Sequence, residues 1–312
     1  MSGSAVHERR KRAGQRAIDG VLLLDKPAGI TSSAAVQTVR RLFSAAKAGH
    51  TGTLDPLATG LLPICLGEAA KFSHVLLDAD KTYGATVRLG MTTTTGDLEG
   101  ELIERKPVSV DRRKLESVLE RFVGAIQQVP PMYSALKRGG QPLYKFARAG
   151  QILPREPREV LIKRLVLIGF AGDELTISVT CSKGTYIRVL AEDVGRELGC
   201  GACLAALRRE GVGDFNLSGG AVTLERLELV TAVERDALLL APDAMVASLP
   251  RIELDAAAAL RLRQGRSVER PGGEATGLAR AYGPGKDFLG VVEVTSPGVM
   301  VARRLRSTAG IA

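Results

Sequence analysis

The stretch Gly49-His-Thr-Gly-Thr-Leu-Asp-Pro-Leu-Ala-Thr-Gly-Leu-Leu-Pro63 is the most unusual part of this sequence. Glycine, threonine and proline fill more than half of its positions, a composition that holds the backbone in tight turns. A rigid loop of this kind can present one functional side chain, here the carboxylate of Asp55. Taken alone, Asp55 is more simply explained as the start of an Asp-Pro turn that caps a helix. The glycine spacing matches neither a Walker loop nor a dinucleotide loop, which argues against a nucleotide cofactor.

Regular elements are predicted on both sides of this loop from the spacing of apolar residues. Apolar runs and alternating patterns predict strands, and apolar residues three or four apart predict helices with one buried face. The first predicted strand begins at Gly20 and is stopped by Pro27, and two more cover residues 81–89 and 175–181. One predicted helix is capped by Thr31 or Ser32, a second covers residues 111–124, and a third is ended by Gly199. Strands and helices mixed in this order indicate an α/β (α+β) fold.

Three segments differ from this pattern. Residues 1–17 are short, polar and basic, which predicts a disordered tail before a main domain of residues 18–248. Residues 127–157 contain Pro-Pro, Gly-Gly and five Lys or Arg with little apolar periodicity, which predicts an exposed basic insertion. From residue 249 to 312, short apolar runs broken by glycine and proline predict a separate small β-rich domain.

Composition and charge narrow the function. The chain has 312 residues and a formal net charge of +9, concentrated in residues 1–16 and 249–312. Basic ends favour a polyanionic partner such as nucleic acid, although simple solubility explains them as well. No apolar run approaches the roughly 20 residues of a membrane span, and no secretory signal is visible. Four irregularly spaced cysteines suit the reducing cytoplasm. Cys200 and Cys203 have the spacing of a metal knuckle, but no second pair accompanies them, so we expect no metal site.

Six sequence blocks, which occur in the same order as in a known protein family, carry a resemblance to that family. They are Leu24–Ser32, the Gly49–Pro63 loop, Asp80–Tyr83, Val129–Lys137, Cys181–Leu190 and Leu207–Arg209. In these blocks the chain resembles the bacterial tRNA pseudouridine-55 synthases, the TruB family. The resemblance spans residues 18–245. It implies a catalytic domain built around an antiparallel sheet, followed by a β-rich domain that resembles a PUA module.

The resemblance implies an isomerase that works without a cofactor on the T-arm of tRNA. The target uridine is stacked inside the folded T-arm, so it must flip out to be reached. The family's nucleophilic aspartate falls on Asp55, and its attack on ribose C1′ or on base C6 stays open. Tyr83 matches the tyrosine that stacks on the flipped base and is a candidate for proton transfer. Arg188 matches the arginine that pairs with the aspartate; without the family, Tyr83 would be a core residue and Arg188 a solvated one.

Further substrate-binding positions follow from the same blocks. His50 matches a histidine that stacks against displaced RNA, and Leu207 matches an apolar residue that closes against the base. The remaining expected substrate-binding residues are Lys26, Asp97, Tyr133, Lys137, Lys183 and Tyr186.

The resemblance also implies a monomeric, cytoplasmic protein, with residues 127–157 gripping RNA. Removing residues 249–312 is expected to weaken tRNA binding more than it slows the chemistry. The alternative is a non-catalytic RNA-binding or tRNA-folding protein on the same scaffold. The presence of Asp55, Tyr83 and Arg188 together disfavours that alternative.

Overall fold

The computed structural model describes residues 15–269, 276–296 and 298–307. In chain order, the strands of the larger part are β1 (Gly20–Lys26), β2 (Ala48–His50), β3 (Thr59–Leu66), β4 (Lys81–Leu89), β5 (Met91–Thr93), β6 (Leu102–Arg105), β7 (Gly124–Gln128), β8 (Lys137–Arg138), β9 (Gln141–Pro142), β10 (Arg158–Ala171), β11 (Glu174–Cys181), β12 (Ala202–Val212) and β13 (Phe215–Asn216). Its α-helices are α1 (Ser32–Leu42), α2 (Ser73–Asp78), α3 (Arg112–Glu120), α4 (Leu143–Arg148), α5 (Ile187–Leu198), α6 (Leu224–Leu229) and α7 (Ala232–Asp236), and two 3₁₀ helices cover Gly67–Phe72 and Pro242–Val246.

One nine-stranded sheet organises these elements. Its main path runs β1-β3-β12-β4-β11-β10-β7, with β2 added beside β3 and β13 beside β12. The pairs are antiparallel except for β3 and β12, which run parallel. The mixed α/β class and the largely antiparallel sheet are therefore confirmed. Because β12 lies between β3 and β4, it joins the strand in which the Gly49–Pro63 loop ends to the strand that carries Tyr83.

The predicted elements form for the expected reasons. Thr31 caps α1, its side chain accepting a hydrogen bond from the Ala34 amide at 3.1 Å. Residues along β4 alternate between buried and half-buried, as a strand with one face on the core requires. Helix α5 ends at Gly199, whose φ of 85° is the left-handed conformation that glycine tolerates. The predicted helix over 111–124 is shorter, ending at Glu120.

The ends of the larger part and its insertion differ in detail from expectation. Most of the predicted tail lies outside the described residues, but Arg16 is ordered, pairing with the carboxylate of Asp236 and bridging to the backbone of Ala45. The expected basic insertion starts in β7, which pairs with β10 as an edge strand. It continues as the β8–β9 hairpin and α4, and it buries Leu143.

The C-terminal part is β-rich, as predicted. Its strands β14 (Arg251–Glu253), β15 (Val268–Glu269), β16 (Gly277–Tyr282), β17 (Phe288–Ser296) and β18 (Val299–Leu305) form one sheet in the order β14-β16-β17-β18-β15. Helix α8 (Ala256–Arg263) packs there and was missed, because its alanine-rich sequence carries almost no apolar periodicity. A core of its own includes Ile252, Leu262, Val292 and Met300. Within the described residues, no helix is both long and apolar enough to cross a membrane.

Candidate active site

A cleft of about 350 Å³ opens at the centre of the large sheet. Such a volume lies in the range of small-molecule sites, large enough for a nucleotide. Its walls come from the Gly49–Pro63 loop, the start of the insertion and the N-terminus of α5, and its floor comes from β4 and β12. The lining residues include Gly52–Asp55, Lys81, Tyr83, Tyr133–Leu136, Ser182, Gly184–Arg188, Leu207 and Arg209.

Local hydrogen bonds hold the loop that carries Asp55. The buried hydroxyl of Ser32, the first residue of α1, accepts a bond from the Leu54 amide at 2.7 Å and lies 2.9 Å from the Leu54 carbonyl oxygen. Next to it, the Asp55 carbonyl accepts from the Ala58 amide at 3.1 Å. The loop is therefore anchored on either side of the Asp55 side chain, which stays 40% exposed.

Arg188 joins two carboxylates. Its Nη2 lies 3.0 Å from Oδ2 of Asp55, and its Nε lies 3.5 Å from Oδ2 of Asp97. The Arg188 side chain is only 5% exposed, so the expectation for an isolated helical arginine, a solvated position, does not hold here. A planar guanidinium can meet two carboxylates from different directions and so orient both.

The guanidinium of Arg188 also donates hydrogen bonds to two backbone carbonyls. Nη1 donates to the Thr95 carbonyl at 2.8 Å, and Nη2 donates to the Tyr133 carbonyl at 2.8 Å. Arg188 thereby connects α5 to the loop of Asp55, the turn of Asp97 and the start of the insertion. Asp97 is itself buried, and its carboxylate accepts bonds from the Thr95 hydroxyl and the Glu99 amide.

Tyr83 lies on the cleft floor, 9% exposed, against Arg209 of the neighbouring strand. Burial raises the pKa of the Tyr83 phenol above its usual value, and the positive charge of Arg209 acts in the opposite direction. Arg209 is 1% exposed, and its Nε donates to the Leu61 carbonyl at 2.7 Å. The block Leu207–Arg209 contains this arginine, but sequence reasoning singled out only Leu207.

Two buried lysines lie near the same carboxylate and tyrosine. Lys26 donates from Nζ to the carbonyls of Pro27 and Ile30, at 2.7 and 2.8 Å. Burial lowers the pKa of Lys26 to about 8, while the negative charge of Asp55 opposes that shift. Lys81 lines the cleft and caps the end of α2 through the carbonyls of Leu76, Leu77 and Ala79. Burial lowers its pKa to about 8 as well. Lys81 was missed although it stands in the block that contains Tyr83.

The other predicted residues are only partly brought together. Tyr133, Tyr186 and Leu207 line the cleft. His50 lies in β2, where its Nδ1 accepts from the Gly52 amide at 3.2 Å, and burial together with the charge of Arg209 lowers its pKa. The imidazole is therefore neutral near pH 7. It supports the loop of Asp55 and does not line the cleft.

Two predicted lysines lie elsewhere. Lys183 is exposed at 63% and its Nζ pairs with Oδ1 of Asp78 at 2.7 Å, so it does not line the cleft. Lys137 belongs to a second cleft, of about 320 Å³, in the insertion. That cleft is bordered by four basic side chains and one acidic one: Lys137, Arg138, Arg155, Arg158 and Glu156.

The donor set offers no metal centre within the described part of the chain, where no three His, Cys, Asp or Glu are grouped to hold an ion. Cys200 and Cys203 are both buried and free. Burial raises the pKa of the Cys203 thiol to about 11, which opposes formation of the thiolate that metal binding or redox exchange requires.

Three family models cover most of the chain. Residues 40–187 match the TruB family pseudouridylate synthase N-terminal domain. Residues 188–251 match the tRNA pseudouridylate synthase B C-terminal domain, and residues 250–305 match a pseudouridine synthase II TruB C-terminal model.

Curated relatives are similar over nearly their whole length. The tRNA pseudouridine synthase B of Methylobacillus flagellatus is 56% identical over 296 residues, covering 95% of this chain and 98% of that protein. The protein of the same name from Azoarcus sp. is 55% identical over 299 residues, covering 96% and 98%. Among solved structures, a Cbf5-Nop10-Gar1 complex gives a TM-score of 0.68 at 24% identity, covering 91% of this chain and 84% of that one. An H/ACA RNP bound to a substrate RNA containing 2′-deoxyuridine gives a TM-score of 0.68 at 23% identity, covering 93% and 86%, and both structures support the fold.

Proposed function

This chain belongs to the TruB family of pseudouridine synthases, and from that membership and the central cleft we propose that it isomerises the T-loop uridine at position 55 of tRNA. The uridine flips out of the T-arm and enters the cleft between the Asp55 loop and α5. Flipping is required because a carboxylate cannot reach the reacting atoms of a stacked nucleotide.

The reaction needs few chemical groups. The bond between N1 of uracil and C1′ of ribose breaks, and a bond between C5 and C1′ forms. C5 loses a proton and N1 gains one, so the product is an isomer and no electrons are transferred. A nucleophile, a surface that holds the free base while it turns, and a group that moves a proton are sufficient.

The observation that carries the proposal is the state of Asp55. Its carboxylate is 40% exposed at the cleft while Arg188 holds one oxygen at 3.0 Å. The guanidinium fixes the direction of the carboxylate through a charge-assisted contact to one of its oxygens. The second carboxylate oxygen stays free to attack. Asp55 is therefore the nucleophile of the proposal, on either C1′ or C6.

Other groups take the remaining roles. The ring of Tyr83 and the side chain of Leu207 form an apolar floor against which the base stacks. The phenol of Tyr83 exchanges a proton with the base. Exposed basic residues of the insertion and of the C-terminal part contact tRNA phosphates.

The test is pseudouridine mapping on tRNA treated with the wild-type protein and with the Asp55→Asn variant. We expect the wild-type protein to form pseudouridine at position 55. On a control transcript in which position 55 is cytidine, we expect it to form none. Asp55→Asn is expected to bind tRNA normally and form none, because it removes a nucleophile and little contact area. Asp25→Asn is the matched control, since Asp25 pairs with Arg208 at 2.7 Å outside the cleft.

Three results would contradict the proposal. Turnover by Asp55→Asn would remove Asp55 as the nucleophile. Pseudouridine at another position would change the substrate assignment. Faster tRNA folding with no pseudouridine from wild type would leave the non-catalytic alternative.

A further inference from the structure

Arg209 is a buried cation that the proposed reaction does not yet use. It is among the largest fully buried side chains, and no described carboxylate forms an ion pair with it. Burying an unpaired charge is costly, so such a group persists where its hydrogen bonds are valuable. Here its Nε donates to the Leu61 carbonyl at 2.7 Å and its Nη2 donates to the Gly52 carbonyl at 3.1 Å.

Tyr83 is the cross-strand neighbour of Arg209. The two residues stand directly opposite each other in the β12–β4 pair, so their side chains share one face of the sheet, and both line the cleft. The positive charge of Arg209 lowers the pKa of the Tyr83 phenol, against the effect of burial. Arg209 therefore places a fixed positive charge next to the group that exchanges a proton with the base in the proposed reaction.

These contacts reach the site from different elements. Arg209 donates to Gly52, three residues before Asp55 in the loop, and to Leu61 in β3, and it stands opposite Tyr83 of β4. Gly60 lets β3 lie this close to β12, because a Cβ atom there would stand 2.2 Å from the Arg209 carbonyl oxygen. One guanidinium thus ties the Asp55 loop to the strand that pairs with β4.

We propose that Arg209 is a positioning residue of the reaction, which keeps the Asp55 loop in register with Tyr83 and places its positive charge beside the phenol. The inference rests on the proposed function. Arg209 acts through Tyr83 and Gly52, and the base itself contacts Tyr83.

The surrounding charges define how this contact responds to pH. Asp55 and Cys181 raise the pKa of Tyr83 together with burial, and Arg209 opposes them. Lys26, His50 and Lys81 are the basic groups whose pKa values the charge of Arg209 lowers. Loss of the guanidinium should therefore raise the pKa of Tyr83 further.

The first experiment compares Arg209→Lys with wild type. Lysine keeps the charge but cannot donate to the Leu61 and Gly52 carbonyls from one planar fork, so we expect kcat to fall about 30-fold, the order of one lost charge-assisted hydrogen bond, with KM for tRNA changed less than about threefold. Arg208→Lys is the matched control, because Arg208 is the next residue on the same strand but pairs with Asp25 on the other face. An unchanged kcat in Arg209→Lys would overturn the inference, as would an equal loss in Arg208→Lys.

Two further readouts separate positioning from general stability. Ultraviolet titration of ionised tyrosine, taken as the difference between each protein and its Tyr83→Phe counterpart, should show a higher Tyr83 pKa in Arg209→Gln, which removes the positive charge, than in wild type. The double variant Arg209→Gln/Tyr83→Phe should be faster than the product of the two single losses predicts, because part of the effect of Arg209 passes through the phenol. Independent, multiplying losses would overturn the inference.

A last measurement needs no change at Arg209. Tyr83→Phe keeps the ring and removes only the hydroxyl, so nitrogen NMR should show a shift of the Arg209 guanidinium signals in that variant. Absence of a shift would show that the two groups do not interact. The titration and the NMR measurement do not depend on turnover, so they test the contact between Arg209 and Tyr83 even if the proposed function is wrong. Failure of the proposed function would appear only in the pseudouridine mapping assay.

Discussion

At the scale of single residues, Arg188 is the side chain on which the site depends most. Four acceptors surround it: the carboxylates of Asp55 and Asp97 and the carbonyls of Thr95 and Tyr133. An ammonium group has three donors at one point and cannot reach four acceptors arranged around a plane. Substitution would therefore disturb Asp55 and two loops together.

We predict that Arg188→Lys lowers kcat by at least about 100-fold and the free energy of unfolding by about 1–3 kcal/mol, because buried acceptors lose their donors. Single-turnover pseudouridine formation and a denaturant melt measure the two effects. Arg196→Lys is the control on the same helix, since Arg196 is 73% exposed. A loss of activity that persists at all pH values would identify positioning as the role of Arg188, and activity within fivefold of wild type would contradict it.

At the scale of elements, helix α5 sets where Arg188 stands. The helix packs on the start of β12 through Gly195, where a Cβ atom would lie 2.3 Å from the Ala202 amide nitrogen. A backbone atom cannot move aside as a flexible side chain can. The last turn of the helix is therefore tied to the sheet, and its first turn delivers Arg188 to the cleft.

Gly195→Ala is expected to lower the free energy of unfolding by about 1–3 kcal/mol through overpacking. The gain of roughly 1 kcal/mol in helix propensity from glycine to alanine acts against this, so the net loss lies toward the lower end. Chemical denaturation measures it. Gly169→Ala is the matched control, because its nearest contact would be an ordinary 4.0 Å. Equal stability of the two variants would show that the helix can shift, and activity would then report the displacement of Arg188.

Sequence reasoning worked where the signal is local. The alternation in 81–89 and the glycine at 199 predicted β4 and the end of α5, because period and cap chemistry depend on neighbouring residues. It did not find the parallel pairing of β3 with β12, which joins residues about 150 positions apart. Arg209 was missed for the same reason. Its hydrogen-bond partners are Gly52 and Leu61 and its cross-strand neighbour is Tyr83, all distant in sequence, and no local pattern marks a buried arginine.

At the scale of the whole molecule, the C-terminal part shares a core with the rest. The ring of Phe288 lies 5.2 Å from Phe72, and the Tyr282 hydroxyl donates to Asp243 at 2.6 Å. Val291 joins the same buried cluster as Leu61. Removing residues 249–312 would expose this cluster, so the expectation that truncation mainly affects RNA binding is revised: it would destabilise the catalytic part as well.

The basic residues of the C-terminal part must therefore be tested by substitution. Arg263, Arg303 and Arg306 form ion pairs within the protein. Arg261 and Arg266 are exposed and have no ion-pair partner among the described residues.

Arg261→Gln/Arg266→Gln is expected to weaken tRNA binding and to reduce the salt slope of log affinity by about 0.7–0.9 for each lost phosphate contact. The kcat at saturating tRNA should stay unchanged, because both residues lie outside the cleft. Filter binding over a salt series measures the slope. The control variant Lys106→Gln/Arg112→Gln removes the same amount of charge from two exposed ion pairs, one just before α3 and one on it. An equal reduction of the salt slope in this control would show that only the net charge of the protein matters.

The ion pair between Asp19 and Arg306, 3.0 Å long, joins residues 287 positions apart. On the ribosome, the strand that starts at Gly20 is made well before the side chains of the C-terminal part that cover it. Contacts this distant close slowly, and the nascent chain meanwhile exposes an apolar surface. We expect a product that terminates before these side chains to display that surface permanently and to be a target for proteolysis.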